Sequence, residues 1–296
     1  MSRPDKTIAD FDPELLDAFH EYVHGRMDRR GFLAYAARFA VGGVTAAGLL
    51  GMLQPDYAQA QEIAADDPRI SARYLQYPSP QDWQGYLVRP ADRDAQALPA
   101  VLVIHENRGR NPYIEDVTRR LALVGYLALA PDALSPLGGW PGNDDDGRAM
   151  QRTLDPEEMM ANWEAAIRFL KTHPQGNGRV GAVGFCYGGG VVNALAARMP
   201  DALDAGVPVY GRQAPVDAVA GMRTPLMFHN ASTDTRILAG APAYEAALEE
   251  AGVPFESFVY EGASHGFHNN STPRYDEAAA TLAWDRTLRW FDRHLS

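Results

Sequence analysis

Six short, nearly uninterrupted apolar runs constrain this chain more than any other feature. They are 101–105 (VLVIH), 126–130 (YLALA), 180–185 (VGAVGF), 205–210 (AGVPVY), 225–229 (PLMFH) and 255–260 (FESFVY). Runs of this kind are strands buried on both faces of a parallel sheet. Helical patterns lie between them. Residues 114–124 place Val117, Leu121 and Val124 on one face, and 157–170 carry Trp163, Ile167 and Leu170 at spacings of four and three. Residues 187–198, 241–251 and 276–295 follow, the last with Leu282, Leu288 and Phe291 along an apolar stripe. This alternation predicts a single doubly wound α/β domain with a mostly parallel sheet. An antiparallel pair around 74–77 and 85–89 is expected before it. The segment 136–146 (PLGGWPGNDDD) is expected as a flexible loop on a pocket rim.

The third run leads into GFCYGGG, 184–190. A strand, a tight turn and a helix with small residues two positions either side of a nucleophile form a nucleophile elbow. Gly184 and Gly188 let strand and helix backbones approach closely, and the helix N-terminus favours a thiolate and an oxyanion. The central residue is Cys186, the chain's single cysteine. The competing reading is a small buried residue beneath a glycine-rich turn.

The partners expected of a nucleophile follow in hydrolase order. Asp234 comes just after the run at 225–229, where a carboxylate can fix a histidine tautomer, or can simply form a turn with Ser232 and Thr233. His265 comes just after 255–260, between Gly262 and Gly266. His268, His105 and His229 are nearby competitors for its role. The segment HENRGR, 105–110, ends the first run, where such folds lend an oxyanion N–H. The expected donors are the backbone N–H groups of Asn107 and Tyr187. Glu106 stands where its carboxylate can face the thiol, or be bound by Arg108 or Arg110.

The first sixty residues are different in kind. Arg29 and Arg30 precede Phe32 and Leu33, residues 39–53 carry no charge, and Ala58-Gln59-Ala60 resembles a cleavage signal. Fifteen uncharged residues are too few for a bilayer span of ~20 residues but suit a signal-peptide core. These features predict a twin-arginine export signal over 1–60, read by the twin-arginine translocation machinery. The catalytic domain would then be 61–296, periplasmic or secreted, without a stable membrane span. The alternative is an amphipathic helix with an incidental arginine pair, in a cytoplasmic protein. A short helix is expected over 12–24, with Asp12 as N-cap and Pro13 at its first position.

With Glu106, Cys186, Asp234 and His265 in this order, the chain from about Tyr86 to Leu295 resembles the dienelactone hydrolase family. GFCYGG (184–189), APD (130–132), WEAAIRFL (163–170) and GASHGF (262–267) carry the resemblance. It implies an α/β-hydrolase fold and a Cys–His–Asp triad, with a glutamate bonded to the thiol in the resting state. It also implies carboxymethylenebutenolidase-like hydrolysis of a small lactone or ester through a thioester. Family members hold a substrate carboxylate with arginines, one of them four residues after the histidine. Here Asn269 stands there, and Arg108, Arg148 and Arg152 are the candidate substitutes.

Other function classes are weaker. A net charge of −11 argues against a nucleic-acid partner. One cysteine excludes an internal disulfide and a dithiol redox cycle. The sequence implies no cofactor, and its scattered histidines, His173 among them, show no metal-ligand spacing. A non-catalytic binding protein on this fold, or a peptidase or acyltransferase using the same triad, remains compatible with these residues.

Overall fold

The computed structural model describes residues 7–58, 60–93 and 97–296. Gln59, the middle residue of the cleavage-like triplet, lies outside them, as do residues 1–6 of the N-terminal extension. Three helices come first: α1 (Pro13–Val23), α2 (Arg29–Ala36) and α3 (Ala46–Leu53). The rest alternates as expected: β1 (Ile70–Gln76), β2 (Gln84–Pro90), β3 (Leu98–Ile104), α4 (Pro112–Leu123), β4 (Leu127–Pro131), α5 (Asp144–Gln151), α6 (Pro156–Lys171), β5 (Gly176–Phe185), α7 (Tyr187–Arg198), β6 (Ala205–Val209), β7 (Leu226–Ala231), α8 (Thr235–Leu238), α9 (Ala241–Glu250), β8 (Phe255–Tyr260) and α10 (Glu277–Leu295).

The eight strands form one sheet in the order β1-β2-β4-β3-β5-β6-β7-β8. β2 runs antiparallel to both its neighbours, and all other pairs are parallel. Strand alternation divides the core into two layers. Ala100, Leu102 and Ile104 of β3 join Trp163 of α6 and Leu195 of α7 on one face. Val101 and Val103 point the other way, into α4 and α10, among Val117, Leu121 and Phe291. Each fully buried large side chain of this kind stabilises the fold by roughly 1.5–3 kcal/mol.

Two apolar residues do not pack as the periodicity suggests. Val124 is exposed because α4 ends at Leu123 and the chain turns at Gly125, whose φ is 109°. Leu282 is also exposed; α10 buries Ala279, Ala280, Ala283, Thr287, Trp290, Phe291 and Leu295 instead. The small alanines bring α10 close to the sheet. The segment 136–146 is partly ordered by Asp132, whose carboxylate accepts from the Leu134 and Trp140 N–H groups, and its end opens α5.

The N-terminal helices have a small core of their own, built on Leu15, Phe19, Tyr22, Phe32, Leu50 and Leu53. Asp12 caps α1 as expected, and Asp28 caps α2 by accepting from Gly31 N–H at 2.6 Å. The uncharged run 39–53 is not one helix, because Gly42 and Gly43 take positive φ and only Ala46–Leu53 is helical. No helix among the described residues is long and apolar enough to cross a membrane.

At the crossing of β5, α7 and β3 the backbones pack against one another without room for a side chain. A Cβ on Gly184 would overlap the Gly188 carbonyl, and one on Gly188 would overlap the Ile104 carbonyl of β3. Neither obstacle is a flexible side chain, so the backbone itself must move. Gly184→Ala or Gly188→Ala is therefore expected to lower unfolding stability by about 3 kcal/mol, the upper range for overpacking. Gly221→Ala, where nothing lies within 4 Å of the new Cβ, is expected to change it by less than about 0.5 kcal/mol. Urea denaturation of the three variants checks this.

Candidate active site

The C-terminal ends of β3, β5, β7 and β8 face one edge of the sheet, and they bring Glu106, Cys186, Asp234 and His265 to it. Ligands in open α/β sheets bind at that edge, where the strand order reverses. Here β3 lies between β4 and β5, with the chain winding away on both sides. A cleft of about 890 Å³ opens beside Cys186. Asn107 and Tyr187 line it, together with Met159, Met160, Val191 and Tyr244. Its wall is mostly apolar.

Cys186 sits between β5 and α7 with φ 54° and ψ −111°. A non-glycine residue in that region is strained and is held only by its surroundings. Its N–H donates to Val209 O at 3.0 Å, and its carbonyl accepts from Gly190 N–H at 3.2 Å. The thiol is therefore presented at the mouth of α7, only partly exposed. The N–H groups of Asn107 and Tyr187 find no acceptor among the described residues. Two such donors beside the thiol suit an oxyanion.

His265 is the histidine brought to the thiol. Asp234 Oδ2 takes its Nδ1–H at 2.5 Å. Nε2 is buried, has no hydrogen bond of full geometry among the described residues, and faces Cys186. Burial alone would lower the imidazole pKa, but the adjacent thiolate and Asp234 outweigh it and raise the value to about 9. Burial would likewise raise the thiol; the neighbouring His265 cation reverses this and holds it below its ordinary value. The competing histidines are all occupied elsewhere. His105 bonds Glu106 O and Ala133 N–H, His229 sits between Tyr260 and Thr287, and His268 bonds the Tyr113 hydroxyl.

Glu106 does not bond the thiol. Arg108 grips its Oε2 through both Nε, at 3.0 Å, and Nη2, while Asn269 Nδ2 donates to the same oxygen at 3.3 Å. Burial opposes its charge, but the Arg108 cation wins and keeps the carboxyl below its usual range. Arg108 is itself buried and donates its Nη1–H to Asp144 at 2.7 Å. A cation clamped between two carboxylates is thus the local solution, because a two-residue spacing lets Arg108 fold back on Glu106.

The three arginines expected at the substrate are placed differently. Arg108 is consumed by Glu106 and Asp144. Arg148 pairs with Asp145 and lies over the Tyr22 ring. Arg152 lies against Gly25. None of the three lines the cleft; Arg212 and Arg236 do. The 136–146 segment does not line it either, since Asp144 and Asp145 are turned to these arginines and to Arg29.

Sequence reasoning missed three residues at this site. Tyr210 has φ 39°, a buried hydroxyl without a hydrogen-bond partner among the described residues, and a ring 4.8 Å from that of His265. Its position after β6, where a strand end meets the catalytic edge, was the available signal. Arg274 lies against Gly266 and over Phe19. His24, from the end of α1, places Nε2 3.8 Å from Cys186 Sγ, and its ring 5.1 Å from His265. Burial, then the His265 charge, push His24 down to about 2, so it is neutral. Asn107 Nδ2 also donates to Val23 O at 3.0 Å, which ties α1 to the cleft. Among the described residues, His24, Cys186 and His265 hold their ligand-type atoms within 4.8 Å of one another.

The thiol and imidazole titrate as a pair. Alkylation of Cys186 by iodoacetamide is expected to follow the thiolate, with a midpoint below the ordinary thiol value of about 8.5. Reactivity falls as pH drops through that lowered midpoint. Asp234→Asn removes support for the imidazolium, so its midpoint moves upward. A wild-type midpoint at or above the ordinary value would contradict the pairing; pH-resolved mass spectrometry reads it.

Comparison with known proteins identifies relatives of this chain. The family model described as "Dienelactone hydrolase family" matches residues 83–295, and a second, "YqhI-like", matches residues 3–41. A Bradyrhizobium protein described as a probable 2-oxo-3-(5-oxofuran-2-ylidene)propanoate lactonase is 33% identical over 71% of this chain and 89% of its own. A Salmonella typhi protein described as "Putative carboxymethylenebutenolidase" is 31% identical over 78% of this chain and 91% of its own. A solved structure from Klebsiella pneumoniae, described as a "Putative Dienelactone Hydrolase", superposes with a TM-score of 0.68 at 27% identity, covering 76% of this chain and 99% of that one. The chain belongs to the dienelactone hydrolase family and is a hydrolase on the α/β-hydrolase fold.

Proposed function

We propose that this protein hydrolyses small lactones or esters through a Cys186 thioester. The observation that carries the proposal is the line Asp234–His265–Cys186, set behind a strained elbow with two free N–H groups beside it. The Cys186 thiolate attacks the carbonyl carbon, and the carbonyl oxygen becomes an oxyanion facing the Asn107 and Tyr187 N–H groups. Collapse breaks the C–O bond, and His265 gives its Nε2 proton to the leaving oxygen. His265 then takes a proton from water, the hydroxide attacks the thioester, and the thiolate leaves. Asp234 holds the imidazole and its charge throughout.

Glu106 serves this scheme as a held charge rather than as the first base. Its carboxylate holds Arg108 and opposes a fully ionised sulfur. The apolar cleft favours a substrate with an apolar body, and the Arg212 and Arg236 side chains are the cations that border it.

Hydrolysis of a p-nitrophenyl ester and of small lactones tests the proposal. Cys186→Ala and His265→Ala are each expected to lower kcat/KM by about 10³-fold or more. Cys186→Ser keeps the shape but discards thiol acidity, and a comparable loss is expected. Rapid quenching should trap a protein mass raised by the acyl group. Unchanged turnover in Cys186→Ala would sink the reading.

We also propose that residues 1–60 act as a twin-arginine export signal, leading to a periplasmic or secreted enzyme. Support comes from the order of the arginine pair, the uncharged run and Ala58-Gln59-Ala60. In the folded chain Arg29 pairs with Asp145 at 2.7 Å, Arg30 is exposed and Ala60 is buried. Recognition and cleavage therefore require this segment to leave the body. Replacing both arginines with lysine should retain the protein in the cytoplasmic fraction; unchanged export of the double variant counts against the signal.

A further inference from the structure

The chain shows no metal-ligand spacing, yet three distant segments bring two imidazoles and a thiol together. His24 comes from the end of α1, Cys186 from the elbow and His265 from the loop after β8. We propose that the chain that retains its N-terminal helices binds one zinc-class divalent cation through His24 Nε2, Cys186 Sγ and His265 Nε2, and that this metal reversibly silences the nucleophile.

The tautomers carry the argument. His24 Nδ1 lies 2.9 Å from His20 O. A carbonyl only accepts, so Nδ1 bears the hydrogen and Nε2 presents its lone pair to Cys186. His265 Nδ1 is committed to Asp234 at 2.5 Å, and its Nε2 is buried without a full hydrogen bond. Both rings thus have the arrangement found in metal sites, where one nitrogen donates to oxygen and the other ligates. Tetrahedral zinc with Zn–N of about 2.0–2.1 Å and Zn–S of about 2.3 Å puts N and S about 3.6 Å apart. The His24 Nε2 to Sγ distance is 3.8 Å. The two rings are inclined at 74°, so their lone pairs converge from different directions instead of stacking. Three protein ligands leave a fourth position, open toward the cleft.

The chemistry balances simply. The metal displaces the one proton of the thiolate–imidazolium pair, carried on His265 Nε2, which passes to solvent, and no oxidant or reductant is needed. A sulfur bound to the cation cannot attack a carbonyl, and a ligated His265 Nε2 cannot move a proton. The binding stands apart from the hydrolytic reading; the silencing rests on it.

Cobalt(II) added to the full-length, metal-stripped chain provides the test, because thiolate ligation gives a charge-transfer band and tetrahedral geometry gives intense d–d bands. One equivalent is expected to produce both. Cys186→Ala should abolish the charge-transfer band. His24→Ala and His24→Gln should each weaken binding by about 10-fold or more, while His20→Ala, which removes no ligand, should change it less than about 2-fold. Circular dichroism confirms that each variant is folded. Absence of the band in the wild-type chain, or unchanged affinity in both folded His24 variants, overturns the site. Zinc should also inhibit ester hydrolysis, chelator should restore it, and His24→Ala should need about 10-fold more zinc. If the wild-type chain hydrolyses no ester, the hydrolytic reading fails while the cobalt spectra still decide the metal site.

Discussion

Cys186 can stand at φ 54° only because Gly184, Gly188 and β3 meet backbone to backbone beneath it. The rest of the site is arranged around that contact. It fixes the direction of the thiol relative to the sheet, so the loops after β7 and β8 have a fixed target. It also aims the first N–H groups of α7 at the space beside the sulfur. The strain is small beside the burial of two core layers, and those layers prevent its release. A serine elbow obeys the same geometry; the thiol adds a group whose acidity responds to its neighbours.

Those neighbours form two charge systems that meet at the sulfur. Asp234 and His265 favour the thiolate from one side. Glu106 disfavours it from the other, but its charge is largely spent on Arg108, which also answers Asp144. Removing Arg108 would therefore do more than delete a cation. It would leave two buried carboxylates without the cation they share, with Asn269 on Glu106 and Tyr57 on Asp144 still bonded, the situation in which buried ion pairs are costly to break. The Arg108 clamp keeps Glu106 ionised without letting it dominate the thiol.

The parts legible in the sequence were those set by local pattern. Parallel strands announced themselves as apolar runs because both faces are buried, and the elbow did so because only glycine fits at 184 and 188. Asp234 and His265 were legible from chain order and from the strand each follows. Glu106 was legible as a position but not as a contact, since its choice between Cys186 and Arg108 depends on where α5 brings Asp144. Val124 and Leu282 show the limit of periodicity: helix ends and the small alanines of α10 decide which side of a stripe is buried. His24 was illegible for another reason. Nothing local to α1 tells that its last turn lies over an elbow 162 residues away.

The N-terminal helices are joined to the body differently from the way they are joined to one another. Their leucines and aromatics pack chiefly on one another, in a core separate from the two layers beside the sheet. Their ties to the body are largely polar: Arg29 to Asp145, Tyr57 to Asp144, the Asn107 amide to Val23 O, and Asp56 N–H to Ser271 O. Polar ties exchange readily for water, each contributing only about 0.5–1.5 kcal/mol net. On the export reading proposed above, departure of the segment would take Tyr57 from the edge of the α4–α10 layer and leave the buried residues of both layers in place. His24 leaves with it. The environment of Cys186 is therefore set by whether this segment is docked, and a detached chain presents a thiol with one imidazole neighbour instead of two.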